Sequence, residues 1–447
     1  MRGRRERYIP SGVQTAAEKG LVRAVTTLGV VVLGLLLGSP APAHAAKSYS
    51  DHHLERSLRA QLKKREGLQP TRISHCAPRR HARTYVCRWE AAGLFPGEIP
   101  YACSGKARFI VAKKKWWVDE CVNQLPPMVP LLPEPGPHPV FGFNDDWIGD
   151  AQHNPRINYL PGVGAQVARL TVRWDAVSNT PGLFFWFPYD LVYGQLLDRG
   201  IRPLIVVTSA PCWAQTGDCA SEGAPSPDHY DEFAQFAAMA AQRYNQAIGV
   251  EVWNEPNLAK FWGSEPEPKA YAEMLKQAIP AIRAANPGMA TVTAGLAPSG
   301  QSDSVGYAPR DFLRQAYEAG GPQLADAIGA HPYPFRSYGE DFLGAIRTEL
   351  YYYVRVKEDF GDGAKPIWVT EVGVANDEGY DLDQQADALA RIYVLLRRVE
   401  NIPVVVFHRF VDRADASDKE RSYGVIASDG NPKPAYCAVA GARGNPC

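Results

Sequence analysis

Residues 250–257 read VEVWNEPN and join a short apolar run to two polar side chains. The run Val250–Trp253 has the length and composition of a buried strand. Pro256 has no N–H to donate to a sheet, so the strand must end before it. Asn254 and Glu255 are therefore predicted to lie at the carboxyl end of this strand.

A second stretch repeats this pattern. The run that begins at Ile367 reads IWVTEVG, an apolar strand with a single carboxylate, Glu371, near its end. Each stretch thus predicts one acidic side chain at the carboxyl end of a buried strand.

Six further strand-like segments flank these two and alternate with amphipathic helical patterns. The strands are Val140–Phe143, Val167–Val172, Pro203–Thr208, Thr291–Ala294, Ala327–Ala330 and Val404–Phe407, and the helices are Tyr189–Arg199, Asp228–Tyr244, Pro268–Ala285, Arg310–Ala319, Asp341–Phe360 and Gln384–Val399. Such alternation predicts an α/β fold, and eight repeats favour a (β/α)8 TIM barrel whose site lies at the carboxyl ends of its strands. A doubly wound sheet is the alternative, but no glycine-rich phosphate loop follows any of the strands.

Glu255 and Glu371 then end the fourth and seventh strands, which lie across the barrel from each other. Two carboxyl groups that face one cavity suit the hydrolysis of an acetal, because one donates a proton while the other attacks or stabilises the anomeric carbon. Alternatively, each glutamate only caps a helix or pairs with an arginine at the barrel rim.

The combination of Asn254-Glu255-Pro256 with a strand-terminal Glu371 resembles the acid/base and nucleophile motifs of clan A glycoside hydrolases. Within this clan it is most similar to families 5 and 39, the cellulase-like and β-xylosidase-like groups. The resemblance covers Val140 to about Asp412. It implies a (β/α)8 barrel, retention of configuration, no cofactor and a carbohydrate substrate, with Glu255 as acid/base, Glu371 as nucleophile and Asn254 bound to the sugar 2-hydroxyl. No metal site is predicted.

The same resemblance gives roles to other side chains. Arg169 matches the second-strand arginine that supports the nucleophile, and Arg173 is the rival candidate. A neighbouring cation would keep Glu371 ionised, although a salt bridge at the rim is the simpler reading. His331 is expected to contact the substrate or the acid/base, and Tyr333 to hydrogen-bond the nucleophile.

Tryptophans in or near strand-to-helix loops are candidates for stacking on sugar rings. Trp213 and Trp262 are favoured over Trp147 and Trp186. Two others, Trp253 and Trp368, lie within strands and are expected to belong to the core.

The eighth strand departs from the clan. Related enzymes commonly end it with a tryptophan under the sugar, whereas this chain reads VFHRF from Val406 to Phe410. His408 and Arg409 would suit an acidic or unusually substituted sugar, and His408 is included among the substrate-binding candidates. An altered loop around an ordinary neutral substrate is the alternative.

Residues 1–45 are predicted to be a secretory signal peptide. Basic residues precede a fourteen-residue, largely apolar run, Ala24–Leu37, and Ala43-His44-Ala45 forms an A-x-A cleavage site. A retained membrane anchor is the alternative, but the run is shorter than the roughly 20 residues that span a bilayer. We therefore expect a secreted or cell-wall-associated protein without stable membrane insertion.

Residues 46–125 are predicted to form a small α+β domain with disulfides. Leu54, Leu58 and Leu62 share one face of a helix at Asp51–Arg65, and strand-like runs follow at Thr84–Trp89, Ala107–Val111 and Lys115–Val118. All eight cysteines lie beyond the signal peptide, which favours disulfides. Cys76–Cys87 with Cys103–Cys121 is the local pairing, but three connectivities are open, and zinc is an alternative that lacks paired C-x2-C spacing. Cys212 and Cys219 are expected to pair within one loop.

Seven prolines in the fourteen positions 126–139 predict a semi-rigid linker before a catalytic domain at 140–447. Residues 46–125 carry 16 basic and 7 acidic side chains, a net charge of +9. This domain is a candidate for binding an anionic cell-wall polymer, but a solvated basic surface without a dedicated partner is the favoured explanation. No motif supports nucleic-acid binding.

These features together predict a secreted retaining glycoside hydrolase that cleaves β-glycosidic bonds of a polysaccharide or glycoside. A catalytically silent carbohydrate-binding barrel is the first alternative, disfavoured because both carboxylates are present. A transglycosylase is the second, and it shares every residue named above.

Overall fold

The structure is a computed structural model that describes residues 50–66, 70–73, 76–79, 84–95, 99–118, 128–148, 155–217, 219–300, 302–334, 341–376, 379–414, 419–445 and 447. The predicted signal peptide lies outside the described residues. We number helices and strands in chain order.

Eight parallel strands form the barrel, in the spatial order β10-β9-β8-β7-β6-β13-β12-β11. They are β6 (Val140–Asn144), β7 (Val167–Arg173), β8 (Arg202–Thr208), β9 (Gly249–Val252), β10 (Ala290–Thr293), β11 (Ile328–Ala330), β12 (Ile367–Val372) and β13 (Val404–His408). A single parallel bridge from Val292 to Ala327 joins β10 to β11 and closes the ring. The predicted (β/α)8 barrel is confirmed, with Glu371 on its seventh strand and Glu255 just beyond its fourth.

Helices alternate with these strands: α2 (Trp174–Val177), α3 (Phe187–Leu197), α4 (Tyr230–Arg243), α5 (Ala259–Trp262), α6 (Pro268–Ala285), α7 (Pro309–Glu318), α8 (Phe342–Asp359), α9 (Leu382–Leu396) and α10 (Pro434–Ala442). Asp381 precedes α9 and forms a capping box with Gln384. The side chain of Asp381 accepts from the backbone N–H of Gln384, and the side chain of Gln384 accepts from the backbone N–H of Asp381. None of the helices in the described part of the chain is both long and apolar enough to cross a membrane.

Two apolar layers hold the barrel together. The inner layer consists of strand residues that meet inside the ring: Val167, Leu204, Val292, Ala327, Trp368, Val404 and Val406. The larger outer layer lies between the strands and the surrounding helices and includes Trp253, which is fully buried. Trp253 and Trp368 therefore belong to the core, as predicted.

The helix α1 (Asp51–Glu66) lies on a second, antiparallel sheet. Its strands are β1 (Pro70–Ile73), β2 (Ala77–Arg79), β3 (Thr84–Phe95), β4 (Ile99–Ile110) and β5 (Lys115–Val118), in the order β1-β3-β4-β5 with β2 also paired to β3. Leu54, Leu58 and Leu62 are fully buried against Trp89 and Trp116. These three leucines, spaced four residues apart, therefore form the packing face of the helix, as predicted.

Among the described residues, three disulfides join cysteines that are close in sequence: Cys76–Cys87, Cys212–Cys219 and Cys437–Cys447. The first two were predicted pairs. The other predicted pair, Cys103–Cys121, involves a cysteine at position 121 that lies outside the described residues.

The proline-rich segment is bound to the barrel over much of its described length. The N–H of Val129 donates to the carbonyl of Arg347 at 3.0 Å, and the N–H groups of Leu132 and Gly136 donate to the carbonyls of Arg398 and Arg397 at 2.7 Å each. Between residues 129 and 136 the predicted spacer is thus held against α8 and the residues that follow α9.

Candidate active site

A cavity of about 450 Å³ opens where the strands of the barrel end. Each strand, or the loop that directly follows it, contributes to its wall, as shown in chain order by Asn144, Thr171, Ser209, Glu255, Ala297, Tyr333, Glu371 and His408. The two predicted catalytic glutamates therefore share one cavity.

Three donors surround the carboxylate of Glu371. Asn144 Nδ2 donates to Oε1 at 3.0 Å, Arg169 Nη1 also donates to Oε1, and the hydroxyl of Tyr333 donates to Oε2 at 2.8 Å. Two histidine nitrogens, Nδ1 of His331 and Nδ1 of His408, lie 3.8 Å from Oε2. Hydrogen bonds to both of its oxygens thus hold this carboxylate in place.

These neighbours decide the ionisation of Glu371. Burial raises its pKa, but the positive charges of His331, Arg169 and His408 and the hydrogen bond from Tyr333 outweigh burial and lower the pKa to about 2. Glu371 is therefore an anion at any ordinary pH, as a nucleophile must be.

Glu255 has a different environment. Its Oε1 lies 2.8 Å from Nδ1 of His331, a side chain that is fully buried. Nε2 of the same ring lies 3.1 Å from Oγ1 of Thr370, and the only hydroxyl proton of Thr370 is donated to Glu251 at 2.9 Å. His331 must therefore donate from Nε2, and one proton is shared between Nδ1 and Glu255. Glu255 has a proton within reach, as a general acid requires.

Arg169 connects the two sides of the barrel. Nε donates to Glu251 at 2.7 Å, Nη1 donates to Glu371, and Nη2 donates to Oδ1 of Asn254 at 2.8 Å. Although burial lowers the pKa of Arg169, Glu251 and Glu371 raise it, so the guanidinium stays charged. Because Oδ1 of Asn254 accepts from this arginine, its amide Nδ2 is the donor that remains for a ligand.

The backbone around Asn254 has unusual torsion angles. Trp253 has a φ of 80° and Glu255 a φ of 44°, both in the left-handed region that non-glycine residues seldom adopt. The N–H of Glu255 donates to the carbonyl of Gly295 at 3.1 Å. The side chain of Asn257 donates to the carbonyl of Ala297 and accepts from the N–H of Ala297. Such conformations cluster at functional sites, where surrounding contacts maintain them.

Arg173, the rival of Arg169, does not touch Glu371. It pairs with Asp175 at 2.7 Å and with Glu222 at 3.2 Å on the cavity wall. The cation beside Glu371 is therefore Arg169.

The eighth strand brings one of its two basic side chains to the site. His408 lines the cavity, with Nε2 2.9 Å from Glu420 and Nδ1 3.1 Å from Asn144. Burial lowers the pKa of His408, but Glu420 and Glu371 outweigh burial and raise it. Arg409 instead is buried against Asp145 at 3.0 Å and does not line the cavity.

The two favoured tryptophans do not line the cavity. Trp262 is only 4% exposed and packs edge-on against Trp253 and Tyr271. Trp213 is half-buried, donates from Nε1 to the carbonyl of Ser178 at 3.2 Å and packs edge-on against Trp174. Both are corrections: these rings are occupied by core contacts, and the aromatic side chains on the wall are Phe261, Tyr333 and Tyr423.

The sequence patterns do not single out several wall or support residues, among them Asn144, Glu251, Glu420 and Tyr423. Asn144 is the polar last residue of an apolar strand, and Glu251 is a lone carboxylate inside a buried strand, which requires a buried partner. Both signals were present in the sequence. Glu420 and Tyr423 come from a loop whose path no pattern reveals.

Glu255, His331 and Glu371 each place a possible metal-ligand atom within 4.8 Å of the others. Both ring nitrogens of His331 already have hydrogen-bond partners, Glu255 at 2.8 Å and Thr370 at 3.1 Å. Both nitrogens of His331 are thus used in hydrogen bonds within the described site.

Comparison with known proteins gives two findings. The family model "Cellulase (glycosyl hydrolase family 5)" matches residues 134–406. A family 39 glycoside hydrolase from Bacteroides cellulosilyticus WH2 has a similar structure, with a TM-score of 0.55, 20% identity, and coverage of 80% of this chain and 77% of that one.

Two further similar structures carry the same barrel. A point variant of GH5_18 from Streptomyces cattleya, solved with Manβ1-4GlcNAc, has a TM-score of 0.53, 17% identity and coverage of 68% of this chain and 80% of that one. An exo-β-1,4-mannosidase from Opitutaceae bacterium strain TAV5 has a TM-score of 0.52, 16% identity and coverage of 68% and 59%. At these identities the similarity shows the fold.

Proposed function

The chain belongs to glycosyl hydrolase family 5, the cellulase family, and on that premise we propose that it is a secreted enzyme that cleaves β-glycosidic bonds with retention of configuration. Glu255 is the acid/base and Glu371 the nucleophile. The substrate is a polysaccharide or glycoside outside the cell.

The separation of the two carboxyl groups carries this proposal. One oxygen of Glu255 and one of Glu371 lie within 4.8 Å of each other. Retaining glycosidases have carboxyl groups about 5–5.5 Å apart, whereas inverting enzymes need about 6.5–9.5 Å to admit a water molecule between carboxylate and sugar. The observed spacing supports direct attack by Glu371.

The reaction then proceeds in two displacements. In the first, an oxygen of Glu371 bonds to the anomeric carbon while Glu255 gives its proton to the departing glycosidic oxygen. In the second, Glu255 takes a proton from water, and the water oxygen replaces Glu371 on the carbon. His331 holds Glu255 throughout, and Arg169, Asn144 and Tyr333 stabilise the carboxylate of Glu371 when it leaves.

The first test is hydrolysis of aryl β-glucosides, β-mannosides and β-xylosides and of cell-wall polysaccharides by the mature protein. The mannosides are included because two of the similar structures are an exo-β-1,4-mannosidase and a complex with Manβ1-4GlcNAc. Glu371→Gln should abolish turnover without changing thermal unfolding, because it removes the nucleophile but little volume. Retained turnover in this variant would exclude Glu371 as nucleophile.

Glu255→Ala tests the second role. It should slow substrates with poor leaving groups much more than activated aryl glycosides, which need less help from an acid. Equal losses on both kinds of substrate would exclude the acid/base role. If the folded protein hydrolyses none of the panel but binds glycan, it is the silent barrel, and sugar transfer in place of hydrolysis would identify a transglycosylase.

A further inference from the structure

The antiparallel sheet of the small domain has one face that packs on the leucines of α1. Within the described residues, no helix covers its other face. On that face of β3, β4 and β5 lie four basic side chains that are all exposed to solvent: Arg88, Lys106, Arg108 and Lys115. We call these four residues the basic face, and we propose that it binds an acidic polysaccharide of the cell wall.

The register of the sheet brings these charges together. Side chains alternate across a strand, so alternate residues of β3, β4 and β5 share a face. Arg88 lies directly opposite Lys106, and Arg108 follows two positions further along β4. On these three strands, Glu90 holds the one acidic position of the same face. The face therefore has four basic positions and a single acidic one.

The turn between β4 and β5 extends the charge. Lys113 and Lys114 are exposed there and directly precede Lys115. Within the part of the chain that the structure describes, these three lysines and Arg108 form no ion pair. No acidic side chain of the described residues therefore neutralises them.

The spacing of the charges favours a polyanion. Neighbouring strands lie about 4.8 Å apart, and alternate residues of one strand about 6.8 Å apart. Both spacings are shorter than the Debye length of about 8 Å at physiological ionic strength, so the potentials of neighbouring cations add. Like charges opposite each other destabilise a sheet, and a surface that serves only solubility mixes both signs. A solvated basic surface explains the net charge of the domain, but it does not explain the concentration of that charge on one face.

A polymer with repeated negative charges fits this face, because several cations can then engage one chain at the same time. Residues 46–125 together carry 16 basic and 7 acidic side chains, so the rest of the domain also attracts such a chain. The choice of a polysaccharide over a nucleic acid rests on the proposed function, since an enzyme that cleaves glycans outside the cell gains from being held beside them. The binding of a polyanion does not rest on it.

The test is direct binding of polygalacturonate to the whole mature chain with Glu371→Gln, so that turnover does not interfere. The fully methyl-esterified polymer has the same backbone without the charge and is the neutral probe. Double-stranded DNA at the same concentration of charge is the third probe. The Kd is measured by biolayer interferometry at about 50 and about 200 mM salt.

Two double variants separate the basic face from net charge. Arg108→Gln/Lys115→Gln removes two positive charges from the basic face. Arg56→Gln/Arg59→Gln is the matched control, because it removes two positive charges from exposed positions of α1, the helix on the opposite side of the sheet. All four positions are exposed, and thermal unfolding checks that both variants are folded.

We expect polygalacturonate to bind and its methyl ester not to bind, with a Kd that rises steeply between the two salt concentrations. At the lower salt concentration, Arg108→Gln/Lys115→Gln should raise the Kd about fivefold or more, and the control by less than about twofold.

Equal losses in the two double variants would show that net charge, and not the basic face, attracts the polymer. Binding of the methyl ester, or no binding of polygalacturonate by the folded protein, would also overturn the proposal. Tighter binding of DNA would identify a nucleic-acid surface instead. Failure of the proposed function has a different signature: turnover would be absent with Glu371 intact, and the binding of polygalacturonate would stay as it is.

Discussion

Arg169 and Arg173 lie on the same strand, and both side chains line the cavity with Thr171 between them. Side chains alternate across a strand, so residues 169, 171 and 173 must share a face. The sequence therefore predicts that both arginines point inward. It does not predict which one reaches Glu371, because that depends on the stagger of β7 against β12 around the barrel.

Tyr333 offers a clean test of how Glu371, the proposed nucleophile, is kept ionised. Its hydroxyl donates to Oε2 of Glu371 at 2.8 Å, and this bond is one of the causes that lower the pKa of that carboxyl to about 2. Tyr333→Phe removes the donor and so favours the protonated acid. The acidic limb of the kcat/KM profile should move to higher pH by about one unit.

The matched control is Tyr436→Phe, whose hydroxyl donates to the carbonyl of Tyr159 outside the cavity. Its pH profile should match that of the unaltered protein. An acidic limb that stays in place in Tyr333→Phe would show that this hydroxyl does not tune Glu371. The same lowered pKa stabilises the fold above the ordinary carboxyl pKa of 4.5, and this contribution is lost as the pH falls from there toward about 2.

At the scale of elements, α9 shows how local chemistry sets a boundary. The sequence pattern predicts a helix at Gln384–Val399, whereas the helix runs from Leu382 to Leu396. Its start is set by Asp381, which accepts from the Gln384 N–H at 2.8 Å. The pattern of apolar residues locates the buried face of a helix, but capping side chains set its first residue.

Asp381→Ala should therefore destabilise the protein by about 1 kcal/mol, the usual cost of losing such a cap. Urea denaturation measures the change, and activity should be unaffected. Glu400→Ala removes the same charge from an exposed position just beyond α9 and should change stability by less than about 0.5 kcal/mol. Equal effects of the two variants would mean that the capping box contributes nothing.

The loops were harder to predict than the strands. Trp213 and Trp262 are in the expected loops, yet their rings pack against core aromatics, while Phe261 next to Trp262 lines the cavity. Which of two neighbouring side chains faces a cavity depends on the exact course of a short turn, and residue size does not reveal it. The strands could be predicted because each is a short apolar run that ends in a polar residue.

At the scale of the whole molecule, export is the prediction to check first. Residues 1–45 should be removed on secretion, because basic residues, an apolar run and Ala43-His44-Ala45 follow one another in the order that signal peptidase requires. Amino-terminal sequencing of protein recovered from the medium of a secreting host should begin near Ala46. Protein that stays with the membrane and begins at Met1 would show that the segment is an anchor.

Neighbouring strands of the barrel are joined by different numbers of paired residues. The β7–β8 joint pairs seven residues of each strand, whereas β10 and β11 meet through the one bridge between Val292 and Ala327. Thermal breathing of the cylinder should concentrate at that joint. Gly295, just beyond β10, accepts from the N–H of Glu255, and Glu371 lies on β12, which pairs directly with β11, so each glutamate is connected to one side of that joint. Motion at this joint would thus change the distance between the two carboxylates before any sugar enters.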